Sequence, residues 1–223
     1  MTMKNKVIVF DLDDTLYKEI DFLVSAYKEI ILRLKIDFNI EMDFDHLFSI
    51  YQKGNNVFEN ILSSHKNKKL NIEYLLNIYR YHFPNISLRR EVKDFLFQLL
   101  SEGFILGLIT DGRSITQRNK LRALGIQKIF SEIVISEEFG HEKPHLANYE
   151  HFQIKYPNSL YFYIGDNLRK DFISPNSLAW KTVGVRDIKG ANIHSQVPEN
   201  FKQKYLPTFW INDISELKVD DLD

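Results

Sequence analysis

Six short runs rich in Ile, Val and Phe, each with few charges, recur along the 223 residues: 6–10, 104–110, 132–136, 160–165, 181–185 and 208–211. Runs that carry few charges and do not alternate polar with apolar read as strands buried on both faces, and strands of that kind occur in parallel sheets covered by helices on either side. The segments between them supply the helices. Val92, Phe95, Leu96, Leu99 and Leu100 repeat with helical period, and Leu121 and Leu124 precede Gly125 as a stop. Strand and helix therefore alternate, which predicts an α/β fold with a central parallel sheet and crossover helices. A hydrophobic fraction of 44% is ample for such a core and for a second, smaller one.

The alternation is interrupted once. Between Tyr17 and about Leu88 four successive segments show helical spacing with no strand among them. The first carries Ile20, Leu23, Val24, Tyr27, Ile31 and Leu34, the second Phe44, Leu47, Phe48 and Tyr51. The third carries Val57, Phe58, Ile61 and Leu62, the fourth Ile72, Leu75, Leu76, Tyr79 and Phe83. Each has one apolar face to bury, which predicts an all-helical domain of roughly 70 residues inserted after the first strand. The expected division is a core of 1–17 and 89–223 and an insert of 18–88. No internal repeat or low-complexity tract is visible, and Asp187 to Leu206 reads as a long polar connection before the last strand.

A formal net charge of -1 with acids and bases interspersed leaves no basic stripe for nucleic acid and no polybasic patch for a membrane surface. Absence of cysteine excludes disulfides and thiolate metal sites and fits a reducing compartment. The first apolar run is too short for a signal-peptide core, and no stretch approaches the roughly 18 apolar residues of a membrane span. A cytoplasmic protein with a small-molecule partner is expected. The oligomeric state stays open, a monomer included.

In an open parallel sheet, ligands bind at the carboxyl ends of the strands. After the first run comes Asp11-Leu12-Asp13-Asp14-Thr15, after the second Thr110-Asp111-Gly112, and past the third Glu142-Lys143-Pro144. After the fourth comes Gly165-Asp166-Asn167, with Asp171 following. As one pocket these residues would gather several carboxylates, a lysine and a threonine hydroxyl. Such acids repel one another without a cation, and an all-oxygen ligand set points to a hard ion such as Mg²⁺. Magnesium and a lysine facing carboxylates suit a phosphoryl group. A carboxylate, already ionised at neutral pH, can attack phosphorus without a base, and a neighbouring acid can protonate the leaving alcohol and then activate water. Asp11 and Asp13 are placed for those two tasks.

The sequence resembles the haloacid dehalogenase superfamily of phosphotransferases over almost its whole length, with four motifs in order. Asp11 and Asp13 match DxDx[TV], which implies Asp11 as nucleophile and metal ligand and Asp13 as general acid and base, its backbone carbonyl also on the metal. Thr110, closing ILGLIT, matches the hydroxyl that binds the transferring phosphoryl group. Lys143, in EKP, matches the lysine that stabilises nucleophile and phosphate. Asp166 and Asp171, in GDNLRKD, match the acidic motif that holds Mg²⁺ directly or through water. The resemblance implies a Rossmannoid three-layer sandwich with a helical cap. An acid at Asp13 sides with phosphatases and mutases rather than dehalogenases. The DDTL form of the first motif and TDGRSITQRNKL after Thr110 look like phosphatases of nucleotides and acylneuraminate phosphates.

The expected function is a Mg²⁺-dependent phosphatase acting on a small phosphomonoester through an aspartyl-phosphate. The alternatives are a phosphomutase of the same superfamily and a non-catalytic module that holds a phosphorylated ligand. Substrate contacts are expected from Thr110, Asp111, Gly112 and Lys143. Asn55, in the polar break Lys53-Gly54-Asn55-Asn56 of the insert, is a further candidate from a loop that could be lowered onto substrate. Asp14 is expected to bond backbone amides, Asn167 to orient the metal loop, and Arg113 either to meet phosphate or to face solvent. No histidine pair has metal spacing, and the insert's aromatic residues read as core.

Overall fold

The computed structural model describes residues 5–65, 67–188, 190, 192–194 and 196–222. Its centre is β1 (Lys6–Phe10), whose last four side chains are fully buried because the strand has neighbours on both edges and layers on both faces. β2 (Ile105–Thr110) and β3 (Glu132–Ile135) extend the sheet on one side; β4 (Leu160–Gly165), β5 (Lys181–Val185) and β6 (Phe209–Ile211) extend it on the other. The order is β3-β2-β1-β4-β5-β6, and every pair is parallel. The chain steps outward from β1 to β3 and then returns to the far side of β1. The carboxyl ends of β1 and β4 thus flank the point where strand order reverses, the usual place for a ligand crevice.

The period of two along β1 divides its residues between two layers. Ile8 and Phe10 join a core with α5 (Arg90–Ser101) and α6 (Ser114–Ala123), through Val92, Leu96, Leu99 and Leu121. Val7 and Val9 face Tyr149 and Phe152, which follow the short α7 (Ser136–Phe139) on α8 (Ala147–Lys155). Gly107 of β2 allows that second layer to close, since a Cβ there would lie 2.2 Å from the Phe152 ring. A short α9 (Ile173–Ser177) precedes β5. The α/β class expected from the alternating runs is the observed one. Strand limits differ slightly: residue 104 lies outside β2, Thr208 precedes β6, and Ser136 opens α7 instead of closing β3, its hydroxyl accepting from the Gly112 amide.

Four helices fill the interval after β1: α1 (Glu19–Phe38), α2 (Phe44–Gln52), α3 (Val57–Ser64) and α4 (Ile72–Tyr81). Asp43, Asn56 and Asn71 cap the last three by accepting from first-turn amides. Leu23, Tyr27, Ile30 and Leu34 of α1 pack with Leu47, Ile50, Val57, Ile61 and Leu75 into a hydrophobic cluster of their own. Helix α6 ties this layer to the sheet. Thr116 Oγ1 donates to Arg80 O, and Asn119 Nδ2 donates to Tyr81 O and His82 O, so carbonyls at the end of α4 are capped by α6 side chains. Among the described residues no helix is long and apolar enough to cross a membrane.

Candidate active site

A cavity of about 260 Å³ opens at the carboxyl ends of β1, β2 and β4. It is lined by Asp11, Asp13, Asp14, Thr110, Asp111, Gly112, Lys143, Asp166 and Asn167, with Glu19, Glu142, Lys170 and His194 around them. Asp11 directly follows β1, and its amide donates to Ile164 O across to β4, so its carboxyl is fixed at the mouth of the central strand. Lys143 Nζ lies 2.5 Å from Asp11 Oδ1 and 2.7 Å from Asp171 Oδ1, and Thr15 Oγ1 donates to Asp11 Oδ2 at 3.2 Å. Burial pushes the Asp11 carboxyl up to about 8 despite the lysine. Burial alone would lower Lys143, but Asp11 and Asp171 outweigh it and keep the ammonium firmly protonated.

Asp13 is clamped at both oxygens. Oδ1 receives Lys120 Nζ at 2.7 Å and the Tyr17 hydroxyl at 2.5 Å; Oδ2 receives Gln117 Nε2 at 2.9 Å. Burial would raise this carboxyl, yet Lys120, Gln117 and Tyr17 together hold it below the usual carboxylate range. The Gln117 amide also reaches Thr110 Oγ1 at 2.5 Å and Asp111 O at 2.9 Å, so one buried side chain joins the end of β2 to the end of β1.

Carboxylate oxygens of Asp11, Asp166 and Asp171 lie within 4.8 Å of one another, all three residues buried. Burial and the neighbouring Asp171 and Asp11 push the Asp166 carboxyl well up. A compact, all-oxygen donor set with one lysine among its acids fits a hard divalent cation and does not fit a metal that prefers nitrogen or sulfur. Asp171 is the most constrained of the three. Its Oδ2 accepts the Asp166 and Asn167 amides at 3.1 and 2.8 Å, and its Oδ1 accepts Lys143 and the Tyr163 hydroxyl.

The remaining sequence candidates separate by position. Asp14, at φ 58, bonds the first amide of α1 at Glu19 and the amide of Ile193, both at 3.0 Å. Asp111 accepts the Lys143 amide at 2.9 Å and pairs with Lys170 at 2.7 Å, so it braces the loop that carries Lys143. Gly112 turns at φ +137, a conformation that side chains rarely adopt. Arg113 pairs with Glu137 at 2.8 Å on the surface. Asn55 does not line the cavity; it is exposed between α2 and α3, its amide donating to Ile50 O.

Sequence reasoning missed the residues that arrange these groups. Gln117 and Lys120 lie three apart on α6, both buried; the TDGRSITQRNKL stretch contains both and the helix has too few apolar residues to bury a full face, but neither signal gave them a role. Asn192 and Gln196 carried none, because the connection after β5 has no period. Asn192 Nδ2 donates to Asp166 Oδ2 at 2.8 Å, Gln196 Nε2 donates to Asp166 O at 2.7 Å, and Lys18 Nζ reaches Asn192 Oδ1 at 2.5 Å.

The same residues can be compared with known proteins. A family model described as haloacid dehalogenase-like hydrolase matches residues 8–185. A glyceraldehyde 3-phosphate phosphatase of Methanocaldococcus jannaschii is 33% identical over 201 residues, covering 83% of this chain and 86% of the relative. The enzyme of the same name from Methanopyrus kandleri is 30% identical over 202 residues, covering 81% and 84%. Among solved structures, the HAD-hydrolase YfnB of Bacillus subtilis, bound to magnesium, superposes with a TM-score of 0.63 at 22% identity, covering 96% of this chain and 97% of that one. A 2-haloacid dehalogenase of Pseudomonas syringae gives 0.63 at 18% identity, covering 98% and 97%, so the fold alone does not choose the chemistry. The family match spans most of the chain and includes the ends of β1, β2 and β4, and the chain belongs to the haloacid dehalogenase-like hydrolases, as a phosphatase among them.

Proposed function

We propose that this chain is a Mg²⁺-dependent phosphomonoester hydrolase that cleaves a small phosphorylated metabolite through an aspartyl-phosphate on Asp11. The observation that carries the reading is Asp11 at the mouth of the central strand, 2.5 Å from Lys143, in one cavity with Thr110 and Asp13. An ionised Asp11 oxygen attacks phosphorus as the bond to the leaving oxygen breaks, and Asp13, itself ionised at rest, passes to that oxygen the proton that a phosphomonoester monoanion brings into the site. Water then attacks phosphorus, Asp13 takes the proton back, and the Asp11–phosphate bond breaks to release inorganic phosphate. Thr110 and Lys143 hold the phosphoryl oxygens, and Gly112 offers its turn beside them. Asp11, the Asp13 backbone carbonyl and Asp166 would hold Mg²⁺, with Asp171 acting through water while it orients Lys143. The bound ion would supply charge neutralisation for the carboxylates and the phosphoryl group.

The relatives named glyceraldehyde 3-phosphate phosphatase favour a three-carbon phosphate as substrate, and the modest cavity suits one. Residues 18–88 act as the cap in this reading: Glu19 already lines the cavity, and Asn55 meets substrate only after the α2–α3 loop is lowered. The test is a screen of the purified protein against glyceraldehyde 3-phosphate, sugar phosphates, nucleotides and acylneuraminate phosphates, with and without Mg²⁺. Wild type should prefer the three-carbon substrate and lose activity on chelation. Asp11→Asn should lose at least about a thousandfold in kcat; undiminished phosphate release by that variant would sink the mechanism.

A further inference from the structure

Lys120 has no part in the motif set, yet its ammonium occupies a singular position. It lies on α6, its side chain only 4% exposed, at the meeting of the sheet layer and the first helix of the insert. Nζ is 2.7 Å from Asp13 Oδ1, 3.9 Å from Glu19 Oε1, and 4.4 Å from the centroid of the Phe22 ring. Asp13 belongs to the site, whereas Glu19 and Phe22 belong to α1. A buried ammonium costs several kcal/mol in lost hydration unless it is paired, so its position is dictated by those two acids and the ring face. The clamp on Asp13 is stereochemically complete: Lys120 and Tyr17 take one oxygen, and Gln117, one helical turn earlier on α6, takes the other. With both oxygens engaged, rotation about the Asp13 side-chain bonds would break at least one charge-assisted hydrogen bond.

We infer that Lys120 is a positioning residue that holds the Asp13 carboxylate in the orientation from which it takes a proton from the water attacking the aspartyl-phosphate. The inference rests on the acid-base reading of Asp13 given above. In the step concerned, the water oxygen bonds to phosphorus, its proton passes to Asp13, and the Asp11–phosphate bond breaks. Lys120 is not among the residues that line the cavity. Because it also faces Glu19 and Phe22, the same ammonium fixes the start of α1 relative to Asp13, and the base is oriented only when α1 is seated.

p-Nitrophenyl phosphate separates the two half-reactions, because nitrophenolate leaves without a proton and its appearance reports phosphoenzyme formation. In stopped-flow with Mg²⁺, Lys120→Met should release about one equivalent of nitrophenolate per site at a near wild-type rate. Steady-state turnover should then be roughly 30-fold or more below wild type. Lys120→Arg, which keeps the charge but not the single-point reach, should recover most of that loss and remain about 3- to 10-fold slow. Equal losses in burst rate and turnover, or no loss in either, would overturn the inference. Should Lys120→Met fail to fold, Lys120→Arg decides: a burst with slowed turnover supports the role, and wild-type behaviour refutes it. Asp13→Asn keeps the two readings distinguishable. If it shows the burst while Lys120→Met does not, only the Lys120 role fails; if it turns over like wild type, the acid-base reading of Asp13 itself fails.

Discussion

Single atoms decide how the acids of this site coexist. Asp171 is fully buried, and both of its oxygens are committed, one to backbone amides of the loop after β4 and the other to Lys143 and Tyr163. Its carboxylate therefore fixes the loop that presents Asp166 and anchors the lysine beside Asp11. Gly165 makes this possible: a Cβ there would sit 2.5 Å from Asp171 Oδ2 and 2.7 Å from its Cγ. Gly165→Ala has to push that carboxylate aside, a clash of the kind that costs about 1–3 kcal/mol. The variant is expected to fold with a lowered Tm and to lose most of its Mg²⁺-dependent activity. An alanine variant with wild-type Tm and wild-type Mg²⁺ dependence in phosphate-release assays would show that Asp171 can move freely. Position Asp11-x-Asp13 was legible in the sequence because the strand before it was; the role of Gly165 was not, since only a side chain six residues on makes the glycine necessary.

Helix α6 shows why elements were easier to read than their interactions. Strands announced themselves by continuous apolar runs, and all six begin and end within one residue of the expected limits because burial on both faces leaves few polar positions to blur them. Helix α6 instead spends its buried surface on Gln117, Asn119 and Lys120, and a polar face that is buried looks in a sequence like one that is solvated. Asn119 caps the end of α4, so Asn119→Ala strands the Tyr81 and His82 carbonyls and should cost about 1–2 kcal/mol. Urea unfolding measures it, and an unchanged midpoint would mean that water serves those carbonyls equally well. Elsewhere, β3 is tied to α8 by Glu132, which accepts from Lys155 and His151. Burial opposes ionisation of Glu132, but those two partners prevail and lower its folded pKa below the reference value of 4.5. Its contribution is therefore complete above the unfolded value and is lost as pH falls through the folded one. Glu132→Gln should lower Tm at pH 7, with the gap to wild type closing in acid; a gap independent of pH would assign the loss to packing.

At the scale of the molecule, two hydrophobic clusters meet at few residues, and the site lies beside that meeting. Phe22 of α1 belongs to the sheet-side core while its helix neighbours Leu23, Tyr27 and Ile30 belong to the helical cluster, and Tyr79 packs against both. Asp14 and Lys18, just before α1, bond to the connection at 192–193 that in turn holds Asp166. The acidic cluster is thus braced from three segments distant in sequence, and that convergence belongs to topology; strand-end motifs predict the acids but not their bracing. The bracing holds three carboxyl groups together in a buried place, so the proposed Mg²⁺ should make the folded protein more stable when it is bound. A ligand at 100 times its dissociation constant adds about 2.7 kcal/mol to stability. For a chain of this size that corresponds to a rise of roughly 5–10 °C in Tm. Saturating Mg²⁺ should produce such a rise in wild type and little or none in Asp166→Asn, read by calorimetry in chelator-treated samples. Equal shifts in both proteins would place the ion elsewhere. A rise in Asp166→Asn without Mg²⁺, matching that of loaded wild type, would show that relief of carboxylate repulsion alone accounts for the gain.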